Sequence, residues 1–271
     1  MRSTLPCIFI ISLFISCNNN SSKTETDTSS FPPTIPIIGY AVKNSFPHDT
    51  TSFTEGLSIH NGLLFESTGS PDELPNTKSL FGIVDLKTGK IDKKGELEKK
   101  YFGEGTVFLN DKLYQLTYKN KVGFIYDAKT FKKIKEFSFS NNEGWGLTTD
   151  GKALIMSDGT QNLTFIDPVS LQSIKTLSVT ENGLLLDRLN ELEYIKGYIY
   201  ANVWSTNNIV KIDPNTGAVL GKIDLGSLAA DAKQKHPNSL EMNGIAYDSI
   251  SRKIYVTGKM WPSIYQIDFA H

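Results

Sequence analysis

Cysteine is almost missing from this sequence. Among 271 residues only Cys7 and Cys17 are cysteines, both near the N-terminus, so the body of the chain can form neither a disulfide nor a thiolate metal site. Histidine is nearly as scarce. His48, His60, His236 and His271 are the only four, and none stands at the His-x-x-x-His spacing of a zinc-binding helix, so no metal is expected. There is no Gly-x-Ser-x-Gly elbow and no P-loop, which removes the common serine-hydrolase and nucleotide-hydrolase readings. Charge of one sign is not in excess either: Lys and Arg number 28 against 29 Asp and Glu, a formal net charge of -1. With no basic stripe, nucleic acid is not an expected partner. The one long apolar run, Leu5 to Ile15, is too short to cross a bilayer as a permanent helix.

That run follows Arg2 and ends in Leu13-Phe14-Ile15-Ser16-Cys17, with Asn18-Asn19-Asn20-Ser21-Ser22 behind it. A small residue just before a cysteine, then a polar tract, resembles a bacterial lipoprotein signal, although Phe14 stands where leucine is usual. The reading is a signal peptide over residues 1–16, lipidation at Cys17 and a flexible tether over residues 17–34, rich in Ser, Thr and Pro. The alternative is a simple secretory peptide cut near Ser16. The protein is then expected to be exported and held at a bacterial membrane, periplasmic or cell-surface, by the lipid anchor alone. Residues 35–271 remain for the folded domain, long enough for one all-β core.

One unit recurs along that domain. It opens with an acidic or amide residue beside glycine, then a turn: Thr54-Glu55-Gly56-Leu57, Gly103-Glu104-Gly105, Glu143-Gly144-Trp145-Gly146-Leu147, Leu189-Asn190-Glu191-Leu192 and Met242-Asn243-Gly244-Ile245. Polar turns such as Asn61-Gly62 and Lys196-Gly197 lead into apolar strands such as Leu63-Leu64 and Ile199-Tyr200. A third strand ends in aspartate each time, at Asp85, Asp127, Asp167, Asp213 and Asp268. In four copies a fourth alternating strand follows, as over residues 132–139 and 218–225. Short strands repeating every ~40–55 residues are the signature of propeller blades, so the expected fold is an all-β, five-bladed β-propeller. The fifth copy lacks its outer strand, and the alternating segment 37–46 is expected to supply it and close the ring, leaving a monomer without an exposed edge.

Innermost propeller strands line a central channel, so the five openings converge on one mouth. Glu55, Glu104, Trp145, Asn190 and Asn243, scattered along the chain, become neighbours.

At these residues the chain resembles the plant and bacterial glutamine cyclotransferase family, the type found in papaya latex. The matching stretches run in order: Ser52-Phe53-Thr54-Glu55-Gly56-Leu57, Phe65-Glu66-Ser67-Thr68-Gly69, Tyr101-Phe102-Gly103-Glu104-Gly105, Gly144-Trp145-Gly146-Leu147, Ser157-Asp158-Gly159-Thr160, Leu189-Asn190-Glu191-Leu192-Glu193-Tyr194, Ala201-Asn202-Val203-Trp204, Asn243-Gly244-Ile245-Ala246 and Val256-Thr257-Gly258-Lys259-Met260-Trp261-Pro262. The resemblance implies a five-bladed propeller that closes the N-terminal glutamine of a peptide to pyroglutamate with loss of ammonia, an aminoacyltransferase needing no cofactor. Two positions depart from the family: glutamine is more usual at Glu55 and tryptophan at Tyr118.

On that footing Glu104 is the candidate proton shuttle, taking the amine proton and passing one to the leaving nitrogen. Its pKa would be raised by an aromatic wall of Trp145, Trp204 and Trp261, which could also hold the substrate amine by cation–π contact. Asn190 and Asn243 can hold the carboxamide or its tetrahedral oxygen. Lys259 can stabilise the oxyanion or pair with Glu55 or Glu104, and Glu55 can grip the substrate amine. Two other readings stay open: a metal-dependent lactonase-type propeller hydrolase using these oxygens as calcium ligands, and a non-catalytic lipoprotein binding peptides or glycans at the mouth.

Overall fold

The computed structural model of the protein describes residues 34–271; the expected signal peptide over residues 1–16, Cys17 and the expected tether up to residue 33 lie outside the described residues. Five four-stranded antiparallel sheets stand around one axis. Blade 1 is built from Phe53–His60, Leu63–Gly69, Leu80–Val84 and Ile91–Glu96, and blade 2 from Gly103–Leu109, Lys112–Thr117, Val122–Asp127 and Lys133–Ser138. Blade 3 is built from Leu147–Thr149, Leu154–Ser157, Asn162–Ile166 and Ser173–Ser178, and blade 4 from Leu189–Ile195, Tyr198–Val203, Asn208–Ile212 and Val219–Asp224. Blade 5 takes Met242–Asp248, Lys253–Gly258 and Ser263–Phe269 from the C-terminal end and Tyr40–Pro47 from the other. The five-bladed propeller expected from the repeat is the fold.

Local chemistry sets the blade geometry. Polar turns between first and second strands hold left-handed backbone at Asn61, Asn110, Lys196 and Arg252, where asparagine and glycine are at ease. The recurring aspartates cap the next turn: Asp85 accepts from the Lys87 N–H, Asp127 from Thr130, Asp167 from Ser170 and Asp213 from Asn215. These bonds hold the four carboxyls below the ordinary carboxylate range. Apolar faces pack between blades, as where Tyr200 and Ile223 of blade 4 meet Met242, Ile245 and Tyr265 of blade 5.

The ring closes through Tyr40–Pro47, antiparallel to the last strand from Tyr40↔Phe269 to Pro47↔Ser263. The strand begins at Tyr40 rather than 37, because the chain before it is used elsewhere. Ile38 donates to the Lys222 carbonyl (2.7 Å) and Lys222 to Pro36 (2.9 Å), covering part of blade 4's outer edge. Two elements go beyond the repeat. A small hairpin, Thr180–Glu181 with Leu184–Leu185, joins blades 3 and 4. An α-helix, Gly226–Lys235, joins blades 4 and 5 and buries Leu228 and Ala232, one turn apart, against that inter-blade core.

Candidate active site

Four of the five openings at the mouth carry an irregularity that aims a side chain. In blades 1, 2, 4 and 5 the register between first and second strands slips at the same point: around Glu55, Glu104, Asn190 and Asn243. Two residues there oppose one, a β-bulge, which lifts a side chain out of the ladder and turns it toward the channel. Glycine follows in most copies, because the inner strands meet too closely for a Cβ. One added at Gly105 would lie 2.5 Å from the Leu147 nitrogen, and one at Gly146 would lie 2.2 Å from the Asn190 carbonyl oxygen. The layer below the site residues is therefore Gly56, Gly105, Gly146, Glu191 and Gly244. Four glycines make room for one carboxyl. Glu191 reaches across to accept from the Leu57 N–H (3.2 Å) and the Ile245 N–H (2.7 Å), tying blade 4 to blades 1 and 5 and filling the channel beneath the mouth.

Above it opens a cavity of about 340 Å³ lined by Phe53, Glu55, Pro71, Phe102, Glu104, Tyr118, Trp145, Asn190, Trp204 and Lys259. Five rings form a continuous arc: Phe53 to Phe102 (5.9 Å between centroids), Phe102 to Tyr118 (5.7 Å), Tyr118 to Trp145 (6.4 Å) and Trp145 edge-on to Trp204 (5.8 Å). The Trp145 indole N–H donates to Glu143 (2.9 Å), and its ring packs against Gly159. Trp204 remains 37% exposed at the rim.

The polar groups divide into tied and free. Lys259 Nζ donates to Glu55 Oε1 (2.8 Å) and lies 4.4 Å from the Phe53 ring centroid. Asn243 Nδ2 donates to Glu55 Oε2 (3.0 Å). Both oxygens of Glu55 thus have partners inside the protein, and the carboxyl positions Lys259 rather than standing free to take a substrate amine. Burial pushes the Glu55 carboxyl up to about 7 against the pull of Lys259. For Lys259 burial acts downward, but the charges of Glu55 and Glu104 outweigh it and raise its pKa. Glu104 is different. It is buried, lines the cavity, and among the described residues its carboxyl has no hydrogen-bond partner. Burial first, then the Glu55 charge, lift it well above the carboxylate range, which favours the protonated form a general acid needs. Asn190 Oδ1 is buried without a partner.

The structure brings Glu55, Glu104, Trp145, Asn190, Trp204 and Lys259 together and leaves two candidates out. Trp261 is fully buried in the blade 4–5 core, donating to the Leu240 carbonyl (3.0 Å) and packed on Gly258 and Tyr265. It is core, not cavity wall. Asn243 stands behind Glu55, not in front of it. Phe53 and Phe102 were not singled out by their sequence, yet a signal is there: Phe53-Thr54-Glu55-Gly56 and Phe102-Gly103-Glu104-Gly105 repeat one pattern, with an aromatic two residues before each site glutamate. A larger cavity, about 500 Å³, opens at the other end of the channel among Ser58, Thr148, Glu193, Tyr247 and Arg252. Its one carboxyl, the half-buried Glu193, accepts from the Tyr247 N–H (2.8 Å) and the Thr148 hydroxyl (3.4 Å), so it is engaged in joining blades and the chemistry belongs at the first mouth.

Comparison with known proteins points the same way. Residues 10–269 match the family model described as glutamine cyclotransferase. A glutaminyl-peptide cyclotransferase of Arabidopsis thaliana is 42% identical over 224 residues, covering 82% of this chain and 68% of its own length. The crystal structure of Myxococcus xanthus glutaminyl cyclase matches with a TM-score of 0.77 at 30% identity, over 88% of this chain and 98% of that one.

Proposed function

The chain belongs to the glutamine cyclotransferase family, and from that premise we propose that it cyclises the N-terminal glutamine of peptides to pyroglutamate, with Glu104 moving the proton between the attacking and the leaving nitrogen. The observation that carries this reading is the free, raised Glu104 carboxyl facing an aromatic cavity beside a charged lysine.

The reaction is an intramolecular attack of the α-amine on the side-chain carboxamide. The substrate supplies both reacting groups, so the enzyme's share is to fold it back, stabilise charge and carry protons. A free α-amine has a pKa of about 7.7–8.0, leaving a useful neutral fraction near neutral pH. The aromatic arc packs the folded glutamine and excludes water. Asn190, with its orphaned oxygen, holds the carboxamide nitrogen. As the amine attacks, the carbonyl oxygen gains negative charge facing the Lys259 ammonium. Glu104 gives its proton to the departing nitrogen and receives one from the nitrogen that has just formed the new C–N bond. Ammonia leaves, and Glu104 is again protonated.

A calcium-dependent hydrolase fits less well, because the Lys259 ammonium already stands against the Glu55 carboxylate where a cation would bind. We also read the N-terminal segment as a lipoprotein signal that tethers the enzyme through Cys17. Fatty-acid labelling in a bacterial host, lost in Cys17→Ser, tests that reading.

Purified residues 35–271 should release ammonia from Gln-Ala and yield the pyroglutamyl dipeptide. Glu104→Gln should lower kcat by about 10²–10⁴-fold, the range for losing general acid–base catalysis. Near-wild-type turnover in that variant would overturn the assignment of the shuttle.

A further inference from the structure

Two apolar depressions, each lined by residues that follow cavity-lining ones in the chain, share Leu74 and Met260. One, about 230 Å³, lies among Thr50, Thr51, Leu74, Pro75, Thr77, His236 and Met260; the other, about 400 Å³, lies among Leu74, Lys233, Pro237, Leu240 and Met260. Neither shares a lining residue with the cavity, but the chain links both to its wall. Met260 directly follows Lys259, and Leu74 sits in the same short loop as Pro71, and both Lys259 and Pro71 line the cavity.

The shelf is built rather than floppy. Met260 takes left-handed backbone (φ 58°) and is pinned from both sides: its N–H donates to Ser52 (2.8 Å) and its carbonyl accepts from His236 Nδ1 (3.0 Å). Leu240, 37% exposed, donates its N–H to the Lys259 carbonyl (2.8 Å). Leu74 is fixed in a turn in which its N–H donates to Pro71, and its carbonyl accepts the N–H and hydroxyl of Thr77. An ordered apolar surface left open beside an active site marks a binding surface.

With Glu191 filling the channel below, a peptide whose first residue sits in the cavity must leave through the mouth, and the Lys259 side of the rim leads onto this shelf. A chain advancing about 3.3–3.6 Å per residue reaches the shelf within a few residues. We propose that the shelf formed by Leu74, Leu240 and Met260 is a substrate subsite that takes an apolar side chain from the third to fifth position of the peptide. The proposal rests on the cyclotransferase reading of the cavity.

A leucine walked through positions 3, 4 and 5 of a Gln-Gly-Gly-Gly-Gly peptide tests it. At one of those positions leucine should lower KM about ten-fold with kcat unchanged, the order expected for partly burying such a side chain. Leu74→Ser and Met260→Asn, the latter chosen because asparagine tolerates the left-handed backbone, should erase that advantage. Their turnover of the dipeptide Gln-Gly should stay within about two-fold of wild type, since uniform binding to remote groups alone is removed. The subsite is overturned if leucine helps at none of the three positions, or if its advantage survives in both variants. Should the variants lose Gln-Gly turnover as well, the leucine walk on the wild-type enzyme still decides. Absence of Gln-Gly turnover in the wild type would instead sink the cyclotransferase reading.

Discussion

At the scale of single residues the site is governed by who holds whom. Glu55 carries negative charge next to Glu104, and Lys259 and Glu143 are the other charges that act on that carboxyl. Burial is the larger cause of the raised Glu104 pKa and the Glu55 charge the second. Glu55→Gln removes a negative neighbour and leaves Lys259 unneutralised, and both changes favour the ionised form of Glu104. The acidic limb of kcat/KM follows the substrate amine and should stay where it is. The alkaline limb, where Glu104 loses its proton, should move to lower pH. A pH–rate profile of the two proteins on Gln-Ala checks this, and an alkaline limb that stays put or moves upward would show that Glu55 does not tune the shuttle. Trp261 belongs to the other kind of residue. Trp261→Ala should cost about 3–5 kcal/mol of stability through the cavity it leaves, measured by urea unfolding, while KM for Gln-Ala in the surviving folded protein stays near wild type.

At the scale of the strand, the bulge and the glycine beside it are one device, since the first aims the side chain and the second lets the neighbouring blade approach. Gly146→Ala would drive a methyl group to 2.2 Å from the Asn190 carbonyl oxygen, a backbone atom that cannot rotate away. The bulge carrying Asn190 must then shift, and a displacement of about 1 Å at a positioned group can cost about 10²-fold in rate. Gly151 is the control. It too faces a backbone cost (φ +86°), but nothing lies within 4 Å of an added Cβ. Gly151→Ala should therefore lower Tm modestly and leave kcat alone, whereas Gly146→Ala should lower both. The repeat itself was readable because each blade spells its turns with the residues those turns require, such as Asn61-Gly62 before the second strand and Asp85 at the end of the third. The helix Gly226–Lys235 and the hairpin at Thr180–Leu185 escaped that reading, since they occur once and a repeat-based alignment treats them as linker. Within the site, convergence of Glu55, Glu104, Trp145 and Asn190 was legible because strand openings meet at one mouth. The exclusion of Trp261 was not. Its ring turns into the core through contacts with Tyr265 and the helix connection, which sequence spacing does not encode.

At the scale of the whole molecule, the ring must be fastened where its two ends meet, and an ionic pair reinforces the strand ladder that closes it. His48, just past the closing strand, has Nδ1 2.7 Å from the Trp261 carbonyl oxygen of blade 5 and Nε2 3.0–3.1 Å from both oxygens of Glu66 in blade 1. Both ring nitrogens face acceptors, an arrangement that the two N–H groups of an imidazolium satisfy. The Thr54 hydroxyl completes the shell at Glu66 (2.7 Å), and the ion pair is fully buried. Burial lowers the His48 pKa, but the Glu66 charge and hydrogen bond outweigh it and the net shift is upward. A raised histidine contributes its stability in full below about 6.5 and loses it as pH climbs through the folded value. Glu191 and Glu193 act in the same direction: burial raises both, Glu193 to about 8, so their cost is absent near pH 4.5 and grows as the unfolded chain ionises ahead of the folded one. Tm should therefore fall between pH 6 and pH 9. Glu193→Gln keeps an acceptor for the Tyr247 N–H and removes the carboxyl, so its Tm should fall less over that range. His48→Ala strands a buried carboxylate and should cost about 3–5 kcal/mol at pH 6, less at pH 9, by urea denaturation. A wild-type Tm that holds level or rises toward pH 9 would contradict an ionic clasp at the seam, because His48, Glu191 and Glu193 all pull the other way.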